Sequence, residues 1–196
     1  MKYFIDTEFI EGFHKPLFGK KRHFIDLISI AVVAEDGREY YAISNEFNPR
    51  LADQWVKDNV IARIDEPFYE AASNVQWEAG RAAIIKNEKE RATKSNKLIA
   101  QELINFCAPE DNPQFYGYFA DYDWVLLCSL FGRMIDLPKG FPMFCFDLKQ
   151  MMEERGLTKA WKQAHCPEPE NAHNALADAR WNRNLYTTMI VLPKKF

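Results

Sequence analysis

Phe4–Ile10 reads FIDTEFI, an apolar run cut by two carboxylates, Asp6 and Glu8. Aromatic and β-branched residues in this density predict a β-strand. Strand side chains alternate between faces, so Asp6 and Glu8 share one face, about 7 Å apart along the strand. Phe4, Ile5, Phe9 and Ile10 around them imply burial. Two ionised carboxylates so placed repel each other and lose hydration, which destabilises the fold or drives their pKa values up. Two arrangements remove the conflict. The strand lies at an edge with both acids in water, or a divalent cation sits between them. Hard oxygen ligands suit Mg²⁺ or Mn²⁺.

Outward from this stretch, HFIDLISIAVVAEDG from His23 predicts a second, long strand closed by the turn pair Asp36-Gly37. Arg38–Ser44, REYYAIS, follows as its hairpin partner. Leu51, Trp55, Val60 and Ile64 recur near helical spacing, and Ser73 with Gln76 has capping-box spacing ahead of Trp77. The charged segment IIKNEKERATKSNK predicts an exposed helix face or connector, and Ile99, Leu103 and Phe106 resume a helical stripe. Phe115–Ala120, FYGYFA, is a further strand, and DYDWVLLCSLFGRM a helix starting near Asp121. PMFCFDLKQMMEERG predicts a short strand running into a helix with Asp147 near its N-cap. The last helix lies in HNALADARWNRNLYTTMIVL, where Trp181, Leu185 and Met189 form a stripe. Three strands followed by alternating helices and strands give a mixed α/β fold, a single domain over residues 1–196.

The 196 residues, 47% hydrophobic, suffice for one sizeable core. A net charge of −3 argues against a protein that coats nucleic acid through a broad basic face. Two local basic patches, Lys20–His23 (KKRH) and Lys194–Lys195, are read as solvated surface. The four cysteines have neither C-x-x-C nor zinc spacing. Cys107, Cys128 and Cys145 lie in apolar settings as buried free thiols; the fourth cysteine is Cys166. Asp6 and Glu8 break any signal-peptide core, and no apolar run reaches membrane-spanning length. A reducing cytoplasmic setting, away from membranes, fits these features.

Two further acidic sites complete the pattern. In ADYDW, Asp121 is placed to cap the helix, worth about 1 kcal/mol, while Asp123 sits in its first turn at the crevice where α/β proteins collect ligands. In HNALAD, His173 and Asp178 are five residues apart, about 140° on a continuous helix. They converge only if the helix begins after His173. Then the histidine occupies the preceding loop and can swing toward the carboxylates.

IDTEF, YDWVLL and HNALAD, in this order across nearly the full chain, resemble the three motifs of the DEDDh family of 3′–5′ exonucleases. ADYDWVLLCSLFG, LPKGFPMFCFDLKQ and HNALADARWN are more narrowly similar to the bacterial and phage exoribonuclease-like proteins related to ribonuclease T. The resemblance implies an RNase H-like fold, a mixed sheet flanked by helices. It implies a two-metal site in which Asp6 bridges both ions. Glu8 and Asp178 hold the ion carrying the attacking water, and Asp123 supports the second through water. It assigns His173 as the general base, a role suited to an imidazole near neutral pH, and nucleoside 5′-monophosphates as products. It places the terminal base against Phe9 and Ile10, with Ile10 on the face of Glu8. It favours RNA with short single-stranded 3′ ends over DNA, and a homodimer. One departure concerns the second motif. Relatives often carry an Asn before its Asp, and here YFADYD leaves Asp121 as a rival to Asp123.

Other readings explain less. DYDWV fits the D-x-D-x-[TV] pattern of haloacid-dehalogenase-type phosphatases, and its D-x-D the metal sites of nucleotide-sugar transferases. The first motif should open its domain, yet only about 75 residues follow Asp121, short of a typical α/β domain. A degenerate nuclease fold kept only for nucleic-acid binding should have lost a ligand or the histidine, and all five positions are filled.

Overall fold

The computed structural model describes residues 1–14, 16–107 and 112–191. Leu192 and the Lys194–Lys195 patch lie outside the described residues. The chain begins with β1 (Lys2–His14), β2 (Arg22–Ala34) and β3 (Glu39–Ser44). The β2–β3 turn is the Asp36-Gly37 pair: Gly37 has φ 94°, and its N–H bonds the Ala34 carbonyl at 3.0 Å. Such a φ favours glycine because it has no Cβ.

The expected helical stripe from Leu51 to Ile64 is not one helix. It is broken into 3₁₀ turns at Pro49–Leu51 and Ile61–Arg63 around a short α1 (Gln54–Asn59). Val60 and Ile64 are buried, but Leu51 and Trp55 are exposed. The Ser73/Gln76 capping box is also absent. The next helix, α2 (Glu78–Ala92), starts only after Trp77, whose indole offers no acceptor for a cap; Ser73 lies in a turn ahead of it, its N–H bonding the Glu70 carbonyl.

Then come β4 (Thr93–Lys94), α3 (Asn96–Cys107), β5 (Gln114–Gly117), α4 (Asp121–Ser129) and β6 (Phe146–Asp147). α5 (Leu148–Glu154), α6 (Lys159–His165) and α7 (Ala175–Val191) complete the chain. The Asp147 side chain caps α5, accepting from the Gln150 N–H at 2.8 Å, as its position predicts.

The six strands form one mixed sheet in the order β4-β3-β2-β1-β5-β6. β2 is antiparallel to both β1 and β3, and the other pairs are parallel. One face packs Tyr3, Ile5, Ile30 and Val32 against Ile99 and Leu103 of α3 and Leu127 of α4. The other packs Phe4, Ala31 and Val33 against Leu148 of α5 and Leu185 and Met189 of α7. The Trp181–Leu185–Met189 stripe of α7 is therefore core. Each fully buried aliphatic or aromatic side chain contributes about 1.5–3 kcal/mol.

All four cysteines are free thiols; Cys107, Cys128 and Cys166 are buried and Cys145 partly so. Among the described residues no helix is long and apolar enough to cross a membrane.

Two irregularities position the site. β5 pairs with β1 only along Lys2–Phe4, so from Ile5 onward that edge of β1 is released from the sheet. The β1–β2 register passes from Glu8↔Ser29 to Phe9↔Leu27, which makes Ile28 an extra residue on β2. The alternation of β1 itself is uninterrupted, so Asp6, Glu8 and Ile10 stay on one face.

Candidate active site

The released edge of β1 gathers the candidate residues. Its stranded backbone groups find side chains from two helices. The Asn182 amide of α7 donates to the Ile5 carbonyl at 2.8 Å. Thr7 donates its backbone N–H (2.9 Å) and its hydroxyl (2.6 Å) to Asp123 Oδ1 of α4. Buried backbone groups need such partners, and here the partners also dock α4 and α7 beside the acid pair. Both bonds converge on Oδ1, which leaves Oδ2 of Asp123 uncommitted by Thr7. Neither Thr7 nor Asn182 is singled out by the sequence patterns, since a buried Thr in a strand and an Asn in a helix carry no signature.

Asp178 lies in the first turn of α7, and α7 begins after His173. Carboxylate oxygens of Asp6, Glu8 and Asp178 come within 4.8 Å of one another. Asp178 Oδ2 accepts the His173 backbone N–H at 2.7 Å. His173 has φ 68°, a left-handed conformation uncommon outside glycine. The loop is pinned in that shape from elsewhere: Arg63 donates to the Ala172 carbonyl at 2.9 Å, and the Asn174 amide to the Arg63 carbonyl at 3.0 Å. The imidazole is exposed, and the Trp55 indole meets it edge-on with ring centres 4.8 Å apart.

The carboxylates carry an electrostatic load. Burial, then the charges of Asp123, Glu8 and Asp178, hold the Asp6 carboxyl well above the usual range. Burial followed by Asp178 and Asp123 pushes Glu8 up to about 8. Asp123 rises to about 7 through burial, against the two Thr7 hydrogen bonds. Asp178 is also raised by burial, with the His173 N–H opposing. Among the described residues no Lys or Arg forms an ion pair with any of the four. Like charges crowded in a low-dielectric site, unpaired by any Lys or Arg of the described residues, form a donor set that a divalent metal fits.

These groups open into a cleft of about 620 Å³ that also takes in Phe9, Trp55, Tyr118 and Phe13. Phe9 is partly buried and stacks on the exposed Tyr122 with centres 5.5 Å apart. Ile10 does not face the cleft. It shares the face of Glu8, as alternation requires, but is only 1% exposed. Ala52, Val60, Ile64 and Phe68 from the segment after β3 close over it. The exposed aromatics of the cleft are Trp55 and Phe13 instead.

Asp121 differs from its expected capping role. Ala120 is the residue ahead of α4, with its N–H donated to Asp147 Oδ2 at 2.7 Å, and Asp121 already lies inside the first turn, exposed. Asp123 is 6% exposed. Asp121→Asn is therefore expected to keep most activity. Asp123→Asn, which retains an oxygen for Thr7 but loses the charge, is expected to lose about 10- to 100-fold, as for groups that orient a metal site. Steady-state rates of the two variants check this, and equal losses would assign a role to Asp121.

The sequence model of the 3′–5′ exoribonuclease Rv2179c-like domain matches residues 1–190. The chain belongs to the Rv2179c-like family. Two curated members come from Mycobacterium tuberculosis: 3′–5′ exoribonuclease Rv2179c (strain H37Rv) and 3′–5′ exoribonuclease MT2234.1 (strain CDC 1551). Each is 37% identical over 180 residues, covering 92% of this chain and 88% of the relative. Within this Rv2179c-like chain, the match spans every residue of the cleft.

Proposed function

We propose that this chain is a 3′–5′ exoribonuclease of the DEDDh, ribonuclease T-related type, acting with two divalent ions on single-stranded 3′ ends. The observation that carries the reading is the convergence of Asp6, Glu8 and Asp178 within 4.8 Å from opposite ends of the sequence. Family membership and the relatives' activity support it. The sheet order, with β1 between antiparallel β2 and parallel β5, is consistent with an RNase H-like fold.

Asp6, Glu8 and Asp178 would hold the ions, with Asp123 at their flank. Mg²⁺ or Mn²⁺ bound there supplies Lewis-acid polarisation of the phosphate and offsets charge on the leaving oxygen. The chain's own residues do the rest. The Thr7 clamp fixes Asp123. The His173 N–H fixes Asp178. The His173 imidazole, exposed on its loop, takes the proton of the attacking water. Phe9 and Trp55 offer aromatic surface to the terminal nucleotide, where base stacking is worth about 1–3 kcal/mol. The bond between phosphorus and the 3′ oxygen breaks, and the phosphate leaves on the 5′ oxygen of the released nucleotide.

The test is incubation with matched 3′-tailed RNA and DNA oligonucleotides plus Mg²⁺ or Mn²⁺, with and without chelator. RNA should be shortened only with metal. Faster shortening of DNA would move the substrate to DNA with the same mechanism. Binding of either strand without nucleotide release would leave a nucleic-acid-binding module.

A further inference from the structure

The β1–β2 hairpin does not end at the carboxylates. Glu11, Gly12 and Phe13 line the same cleft as Asp6 and Glu8. At about 3.3 Å per residue, the path from Asp6 to Phe13 is roughly 23 Å, longer than one nucleotide needs. At its far end the character of the surface changes. Leu17 and Phe18 are 93% and 88% exposed. Lys20, Lys21 and Arg22 follow, all exposed, with no acid from Pro16 to His23 in a chain whose net charge is −3.

The arm is braced on both faces. Lys21 lies over the Phe13 ring at 3.9 Å from its centre, and His23 meets the same ring edge-on. On the opposite face the Phe24 ring crosses Gly12, where a Cβ would come within 2.8 Å of it, and stacks on His14. Cross-strand aromatic pairs of this kind stabilise a hairpin that has no third strand beside it.

We propose that this hairpin is an RNA-binding arm that takes the nucleotides upstream of the scissile bond. Lys20, Lys21 and Arg22 contact phosphates, and the Phe18 ring stacks on a base. The proposal rests on the exonuclease reading of the cleft. Cations beside an exposed aromatic ring, here Phe18, suit a sequence-tolerant single-strand track. The arm is also continuous with the cleft where the 3′ end would sit. A second copy of the chain is the poorer occupant, since a two-fold contact through the tips sets Lys20, Lys21 and Arg22 against themselves.

The test uses the full chain, with Lys20→Ala/Lys21→Ala/Arg22→Ala as one variant and Phe18→Ala as another. Binding of a labelled 12-nucleotide RNA is read by anisotropy in chelator across a salt series. Turnover of a dinucleotide is read with metal. For the triple variant, Kd for the 12-mer should rise about tenfold or more. The slope of log Kd against log salt should fall by about 2, since each lost phosphate contact on a single strand removes about 0.7. Phe18→Ala should weaken the 12-mer with the slope unchanged. Dinucleotide turnover should stay at the wild-type value in both variants, and the melting temperature in Phe18→Ala; the triple variant, which loses the Lys21–Phe13 contact, should melt slightly earlier. Unchanged 12-mer affinity and slope in both variants would overturn the proposal. A halved mass in solution with unchanged RNA affinity would assign the tip to self-association. Equal loss on dinucleotide and 12-mer in a folded variant would place these residues in the reaction itself. A wild type that binds the 12-mer through the arm but degrades neither substrate would keep the arm and remove the exonuclease reading.

Discussion

Asp6→Asn is expected to lose turnover by on the order of 10³-fold while the metal-free protein becomes more stable. In the proposed two-ion site, loss of Asp6 would remove several kcal/mol of transition-state stabilisation, at about 1.4 kcal/mol per decade. The gain in stability has the opposite origin. Burial and the charges of Asp123, Glu8 and Asp178 bear on the Asp6 carboxyl, with no Lys or Arg of the described residues paired to it. Relieving that repulsion should return about 1–3 kcal/mol, or a rise of about 2–12 °C at this chain length. The pH dependence follows from the direction of the shifts. Glu8 is raised from 4.5 to about 8 and Asp123 from 3.8 to about 7. Between pH 4 and 8 the folded state then holds more protons than the unfolded chain, so metal-free stability falls as pH rises through this window. The advantage of Asp6→Asn should be large at pH 8 and small at pH 5. Melting curves in chelator at both pH values check it. A variant less stable at pH 8 would reveal a structural partner for Asp6.

His173→Asn is expected to bind metal and RNA as the wild type does and to turn over about 10²–10⁴ times more slowly, the range for loss of a general base. Asn is the better substitution because it tolerates the left-handed backbone that His173 occupies at φ 68°, whereas Ala adds a conformational cost. The backbone N–H that holds Asp178 is retained. Single-turnover rates at saturating metal and RNA, beside metal and RNA affinities, check it. Full activity would return His173 to a surface role. Loss of metal binding would make it a ligand.

Much of this site was legible before any coordinates. The alternation of β1 put Asp6 and Glu8 on one face. The i, i+4, i+8 stripe of α7 marked its core side, and the His173–Asp178 spacing required that helix to begin after His173, as it does. The Asp147 cap marked the start of α5. What escaped was tertiary. Ile10 shares the face of Glu8, yet local periodicity cannot show that residues 52–68 close over it. The same broken segment leaves Trp55 exposed beside His173, although its spacing from Leu51 and Val60 reads as one buried stripe. The Thr7–Asp123 clamp depends on β5 ending early, and strand length is set by pairing across the sheet. β4 is only two residues long, and α6 has no apolar stripe of its own.

The most direct test is a time course on 5′-labelled single-stranded RNA with Mg²⁺ or Mn²⁺, beside a circular RNA of the same composition. The expected result is a ladder shortening one nucleotide at a time from the 3′ end, release of nucleoside 5′-monophosphates, an intact circle, and no reaction in chelator. Cleavage of the circle, or shortening that persists without metal, would contradict it.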